Sequence, residues 1–281
     1  MDAKRCIVTG ATSGIGKEIA RGLLARGASV AIVGRNPAKL AATVDELGGG
    51  VDTYTADLSE LSAVRALAAE LHDREARIDV LVNNAGINSG NNERTSDGYD
   101  PMLATNYLAP WLLTMSVLDL LRAGAPARVV NVASEAHRLA DRIDPAHLAD
   151  FDAKGNEITI NRLYGRTKLE LILFTQEVAG RVKHEGITVN AMCPGLVATN
   201  LVGDSPVTRV AELLSATPFV RRPAQGAAMG IALALDAKYD GVSGQFFSST
   251  PGAGLLPTHP PRKDVALQRD LWAATEALLS T

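Results

Sequence analysis

Short apolar, β-branched runs recur along the chain at 5–9, 28–33, 51–56, 79–82, 128–132, 187–192 and 244–247. Between them lie segments whose apolar residues return at helical spacing. The first carries Ile19, Ala20, Leu23 and Leu24 and closes at Gly27. Others fall at 61–72, 99–122, about 164–183, about 224–237 and 265–279. Run and helix alternate throughout, which predicts an α/β fold: a doubly wound, seven-stranded parallel sheet with helices on both faces. No internal repeat or long linker interrupts the alternation, so residues 1–281 read as a single domain. Three polar or irregular stretches, 88–98, 135–163 and 200–222, are expected as walls of a pocket, and a Pro/Gly-rich tail precedes the last helix.

In such a sheet ligands sit outside the carboxyl ends of the strands. The chemically suggestive residues all fall on that edge. Strand one runs into Gly10-Ala11-Thr12-Ser13-Gly14-Ile15-Gly16 and then a helix. Glycines there allow a tight turn and a close approach to a diphosphate, which the helix N-terminus attracts. Placed between a strand and a helix, this loop indicates a Rossmann-like dinucleotide site. An NAD site usually carries an acidic residue at the end of strand two. Here Gly34, Arg35 and Asn36 stand in its place, and a guanidinium suits a 2′-phosphate, so NADP(H) is expected over NAD(H). Lys39, one helical turn on, adds to the field. Asp57, followed by Leu58, ends strand three; its carboxylate can accept from an adenine amino group or cap the next helix. Strand four opens into Asn83-Asn84-Ala85-Gly86.

Farther on, Tyr164 precedes Lys168 by one helical turn, so both side chains share a face. An ammonium beside a phenol favours the phenolate and suits proton exchange near neutral pH. Ser134 follows strand five. Asn106 lies in the 99–122 segment four residues before Pro110, whose missing N–H leaves the Asn106 carbonyl without its helical partner. The helix is expected to bend there and to offer a seat for a water. His137, three residues after Ser134, reads as readily as a packed loop histidine as a proton carrier.

Composition narrows the classes. A 46% hydrophobic content with only 4% aromatics fits a helix-and-sheet core. A net charge of -3 with interspersed signs gives no basic stripe for nucleic acid. The two cysteines, Cys6 and Cys193, lie in strand-like runs, which argues for reduced thiols and against a disulfide frame or a metal site. The first strand-like run begins by about Lys4, and the longest apolar stretch, 107–121, is short of a membrane span and holds Asp119. A soluble, cytoplasmic protein with no membrane partner is expected.

Taken in order, Thr9–Gly16, Asn83–Gly86, Asn106, Ser134, Tyr164-x-x-x-Lys168 and Pro194-Gly195 with Thr199 resemble the short-chain dehydrogenase/reductase family over nearly the whole length. The Arg35 turn, Asn131–His137 and Leu173–Glu177 are similar to its retinol-dehydrogenase-like branch, which implies NADP(H). The chain departs from that branch's membrane-bound members at its N-terminus, from relatives that carry a second serine at Ala133, and in a longer gap between Ser134 and Tyr164. The resemblance implies an NADP(H)-dependent oxidoreductase moving hydride between nicotinamide and a carbonyl or alcohol carbon. Tyr164 acts as acid/base, Lys168 and Ser134 assist, Asn106 holds a water, and Pro194, Gly195, Val197 and Thr199 lie along the nicotinamide. The long helices at 99–122 and 164–183 commonly form dimer faces in the family, which allows a homodimer or homotetramer, while Pro110 and the charges on the second helix leave assembly open. A hydrophobic, fairly bulky ketone, aldehyde or alcohol is the expected substrate. Rival readings are reduction of a C=C or C=N bond, or an NADP(H)-binding regulator without catalysis.

Overall fold

A computed structural model of the chain describes residues 3–90, 94–140, 142–195, 197 and 221–280. Its strands are β1 (Arg5–Thr9), β2 (Ser29–Gly34), β3 (Asp52–Thr55), β4 (Val80–Asn83), β5 (Ala127–Val132), β6 (Ile187–Cys193) and β7 (Phe246–Ser248). They form one seven-stranded sheet in the order β3-β2-β1-β4-β5-β6-β7, and every pairing is parallel. The helices are α1 (Gly14–Leu24), α2 (Pro37–Leu47), α3 (Leu61–Arg74), α4 (Ala109–Ser116), α5 (Leu118–Ala123), α6 (Glu157–Arg181), α7 (Pro223–Leu235) and α8 (Val265–Leu279).

Alternation along the strands divides the interior into two cores. Ile7, Leu81 and Val129 point into a layer shared with α3, α4, α6 and α8. Cys6, Val8, Val80, Val82 and Val130 point to the other side, against α1 and α7. Both faces of the sheet are covered, as a parallel sheet requires. Because β1 lies between β2 and β4, the winding reverses there, and the crevice at their carboxyl ends is the topological switch point.

Several boundaries differ from the expected ones. The 99–122 segment is not one helix. A turn at Pro101–Leu103 passes into a π-helix at Ala104–Leu108, then α4, a break at Val117 (φ -110, ψ 21) and α5. Pro110 has no N–H to give, and the turn ahead of it widens, with Ala109 N donating to Ala104 O five residues back. The Tyr164 helix begins seven residues earlier than expected, at Glu157, where Asn156 caps it by accepting from Thr159 N at 3.0 Å. Its first turns are exposed, including Ile158, so no apolar stripe reveals them in the sequence. The excursion therefore shortens to 135–156 and includes 3-10 turns at Glu135–Leu139 and Pro145–His147. β7 starts two residues late, after Gly244 at φ 73. Of the 200–222 segment, only Arg221 and Arg222 are among the described residues, and Thr199 lies outside them.

Candidate active site

The glycine loop fills the switch point. Gly10 has φ 65, and a Cβ there would fall 2.7 Å from the Ala85 backbone, so no other residue lets the β1 and β4 loops meet. Asn84 fastens the two loops: its Nδ2 donates to Thr9 O at 2.9 Å and to Gly10 O at 3.1 Å. Thr9 Oγ1 accepts from Asn84 N and Ala85 N at 3.0 and 3.1 Å. The Asn84 amide is thus engaged within the protein, and what it offers a ligand is a rigid loop. Beyond it, Ser13 is exposed and makes no side-chain cap to α1, whose first turn holds no acidic residue.

At the neighbouring edge, Arg35 is exposed, with Asp57 Oδ2 at 4.0 Å. Asp57 turns its other oxygen to Ser59, accepting from N at 3.0 Å and Oγ at 2.7 Å. Asn36 caps α2 by accepting from Lys39 N at 3.0 Å. Both side chains therefore have local structural work, while Arg35 and Lys39 reach solvent. Leu58 is buried.

On the other side of the switch point, β5, the π-helix and α6 bring Ser134, Asn106, Tyr164 and Lys168 together. Lys168 is buried, and its Nζ donates to Val132 O at 3.0 Å while standing 5.6 Å from the centre of the Tyr164 ring. Burial pushes the ammonium down to about 8. Burial likewise pushes the Tyr164 phenol up, with Cys193 adding to the rise and the Ser134 hydroxyl, hydrogen-bonded to it, pulling it back. Ser134 Oγ also accepts from Ala136 N at 3.1 Å, which caps the turn and leaves the hydroxyl proton free to be donated. Asn106 is fully buried and held by both ends of its amide: Oδ1 accepts from Ile87 N at 2.8 Å, and Nδ2 donates to Ile87 O at 2.9 Å.

Two residues not singled out from the sequence complete the arrangement. Thr167 Oγ1 accepts from Asn106 Nδ2 at 3.1 Å and donates to Tyr164 O at 2.8 Å, tying the π-helix to α6. Its signal in the sequence is only a threonine on the buried face beside Lys168. Cys193 Sγ accepts from Glu135 N at 3.3 Å and Gly195 N at 3.4 Å, joining the loops after β5 and β6. Pro194 is buried, Gly195 takes φ 87, and Val197 bridges to Arg221.

A short chain dehydrogenase family model matches residues 4–142. Retinol dehydrogenase 14 of Mus musculus is 33% identical over 99% of this chain and 86% of its own length. The chain belongs to the short-chain dehydrogenase/reductase family. It is an oxidoreductase of the retinol-dehydrogenase-like branch, acting on CH–OH groups by hydride transfer. Its fold resembles that of an uncharacterized protein from Mycobacterium paratuberculosis, with a TM-score of 0.76 and 28% identity, covering 99% of this chain and 94% of the other. It also resembles the Pseudomonas aeruginosa RhlG/NADP active-site complex, with a TM-score of 0.70 and 28% identity over 90% of this chain and 96% of that one.

The site fits the nicotinamide dinucleotide this family uses. The uncapped α1 N-terminus suits a diphosphate. Lys168 carries three donors and gives one to Val132 O, which suits a ribose diol. Gly86 keeps the space between them open: a Cβ there would come within 3.1 Å of Lys168 Nζ and 3.2 Å of Asn106 Oδ1. Among the described residues no cluster of side chains could hold a metal ion, and no helix is long and apolar enough to cross a membrane.

Proposed function

We propose that this short-chain dehydrogenase/reductase is an NADP(H)-dependent ketone or aldehyde reductase and alcohol dehydrogenase for a hydrophobic, fairly bulky substrate. The observation that carries this reading is the convergence of Tyr164, Ser134 and Lys168 beside the glycine loop. When bound, the nicotinamide supplies or takes the hydride. In reduction, Tyr164 gives its phenolic proton to the oxygen of the nascent alcohol; in oxidation, its phenolate takes that proton back. Ser134 donates to the same oxygen, where negative charge grows in the transition state. Lys168 bonds the nicotinamide ribose, while the pull on the Tyr164 phenol against burial comes from the Ser134 hydroxyl and not from the ammonium that the sequence pointed to. The Asn106 carbonyl, freed by Pro110, seats a water through which Lys168 is resupplied with protons. Thr199 bonds the carboxamide, with Pro194, Gly195 and Val197 along the ring.

Preference for the 2′-phosphate rests on Arg35 and Lys39, two exposed cations at the end of β2, where no carboxylate precedes α2 to bind a ribose diol. The NADP in the Pseudomonas structure agrees with that preference. Two unpaired, buried cysteines suit a reducing compartment such as the cytoplasm.

Purified protein assayed by NADPH absorbance with a panel of bulky ketones and aldehydes tests the reading. Tyr164→Phe should lower kcat by about 10²- to 10⁴-fold with NADPH affinity nearly unchanged. Arg35→Asp should weaken NADPH by roughly 10- to 100-fold and NADH much less. A wild-type protein that uses NADH as well as NADPH would overturn the cofactor assignment. Substantial turnover by the Tyr164 variant would overturn the acid/base one.

A further inference from the structure

We propose that His137 is a positioning residue for Ser134, fixing the serine's backbone through a ring hydrogen bond donated by its Nδ1–H. The inference rests on Ser134 as the donor to substrate oxygen. His137 is fully buried, and its Nδ1 lies 2.8 Å from Ser134 O. A carbonyl only accepts, so Nδ1 must carry the proton. His137 N donates to the same carbonyl at 3.1 Å, which gives Ser134 O two bonds from one residue. Nε2 is buried and has no partner among the described residues. The bond from Nδ1 to a carbonyl makes the ring a fixed donor.

Ser134 is held from each following residue. Glu135 N goes to Cys193 Sγ, Ala136 N goes to Ser134 Oγ, and His137 supplies both bonds to Ser134 O. The first two and the His137 N bond to Ser134 O stay if the ring donor is lost, but the carbonyl then keeps one anchor instead of two, so the Ser134–Glu135 peptide and Oγ are held less tightly.

The ring itself is wedged by β7 and the segment after it. Phe246 meets it edge-on at 5.0 Å between ring centres, and His259 does so at 5.6 Å. Arg262 stacks over Phe246 at 4.6 Å, and Arg138 Nη1 donates to Pro257 O at 2.9 Å. The charged groups around His137 are thus Glu135 and Arg138 on its own turn and Arg262 on the tail, with the titratable His259 beside them, its pKa pushed down by burial and by the same two guanidiniums. With two guanidiniums nearby and no acceptor at Nε2, the imidazole stays neutral, its pKa pushed down to about 4, chiefly by burial.

His137→Phe keeps the ring volume and its edge contacts but removes the donor. His137→Asn places an amide N–H close to the lost Nδ1–H. Steady-state kinetics, NADPH binding and melting temperature are to be measured for both, alone and with Ser134→Ala. We expect His137→Phe to lower kcat about 10- to 100-fold, with little change in substrate KM or NADPH Kd, and His137→Asn to restore most of the loss. Combined with Ser134→Ala, His137→Phe should cost nothing further, because it acts through the serine. Wild-type kcat in His137→Phe would overturn the inference, as would an equal loss in both serine backgrounds. Full turnover in Ser134→Ala would overturn the inference together with the serine's assigned role, which separates that failure from the first two.

Discussion

At the scale of the residue, the site holds a charge the protein pays to keep. Lys168 is buried with one oxygen partner among the described residues, and burial pushes its ammonium down from the ordinary 10.5 to about 8. Below pH 8 the folded protein carries a desolvated cation that the unfolded chain keeps in water, so stability is reduced there. As pH rises from 8 through 10.5 the unfolded chain holds the proton longer than the folded one, and the deficit disappears. A drop from 10.5 to about 8 corresponds to about 3 kcal/mol at most for one buried group. Lys168→Met should therefore raise the melting temperature at pH 7 by a few degrees, with a smaller gain at pH 10, while abolishing turnover. Thermal unfolding at the two pH values, beside an NADPH assay, checks this. A lower melting temperature at pH 7 would show that the single bond to Val132 O outweighs the burial of the charge.

The separate elements explain what the sequence reveals and what it hides. Gly10, Tyr164 and Lys168 are legible because their work is local: a turn with positive φ, or two side chains one helical turn apart. The seven strands and the parallel, doubly wound sheet follow from short apolar runs alternating with helical segments; the strand order does not, because it is set by which runs pair across the sheet. The start of α6 is hidden because its first turns pack on little, and the π-helix because only tertiary contacts select it over a kink. Those contacts are Asn106 on Ile87 and Thr167 between Asn106 and Tyr164. Asn84, Asn36 and Asp57 show the opposite limit: residue type marks the right edge but not whether the side chain faces ligand or loop. Thr167→Val keeps the shape and removes both bonds, leaving Tyr164 O and one Asn106 N–H without this partner. Urea unfolding should show a loss of about 1–3 kcal/mol. A cycle with Asn106→Ala should be non-additive by at least about 0.5 kcal/mol. Additive losses would mean that Thr167 stabilises α6 alone and does not couple it to the π-helix.

For the whole molecule, the C-terminal helix decides what the two long-helix faces can meet. With Pro110 and the charges on the second helix leaving assembly open, the sequence allows a homodimer or homotetramer through these faces. Instead α8 lies across them: Trp272 packs 5.2 Å from Trp111 and stacks on Phe174 at 6.1 Å. Arg181 covers the outer face of this cluster at 4.0 Å from the Trp272 ring, and Tyr107 Oη and Thr275 Oγ1 are hydrogen-bonded at 2.6 Å beneath it. The apolar surface a partner's helices would cover is buried within one chain, which removes most of the hydrophobic gain from pairing there. We therefore expect a monomer by light scattering, with a melting temperature independent of protein concentration, since only an assembly ties stability to concentration. Trp272→Ala should cost roughly 3–5 kcal/mol by opening the centre of this packing. If α8 instead sat beside a subunit interface, wild-type protein would elute as a dimer or tetramer and melt higher as concentration rose. The tryptophan substitution would then change assembly as well as stability.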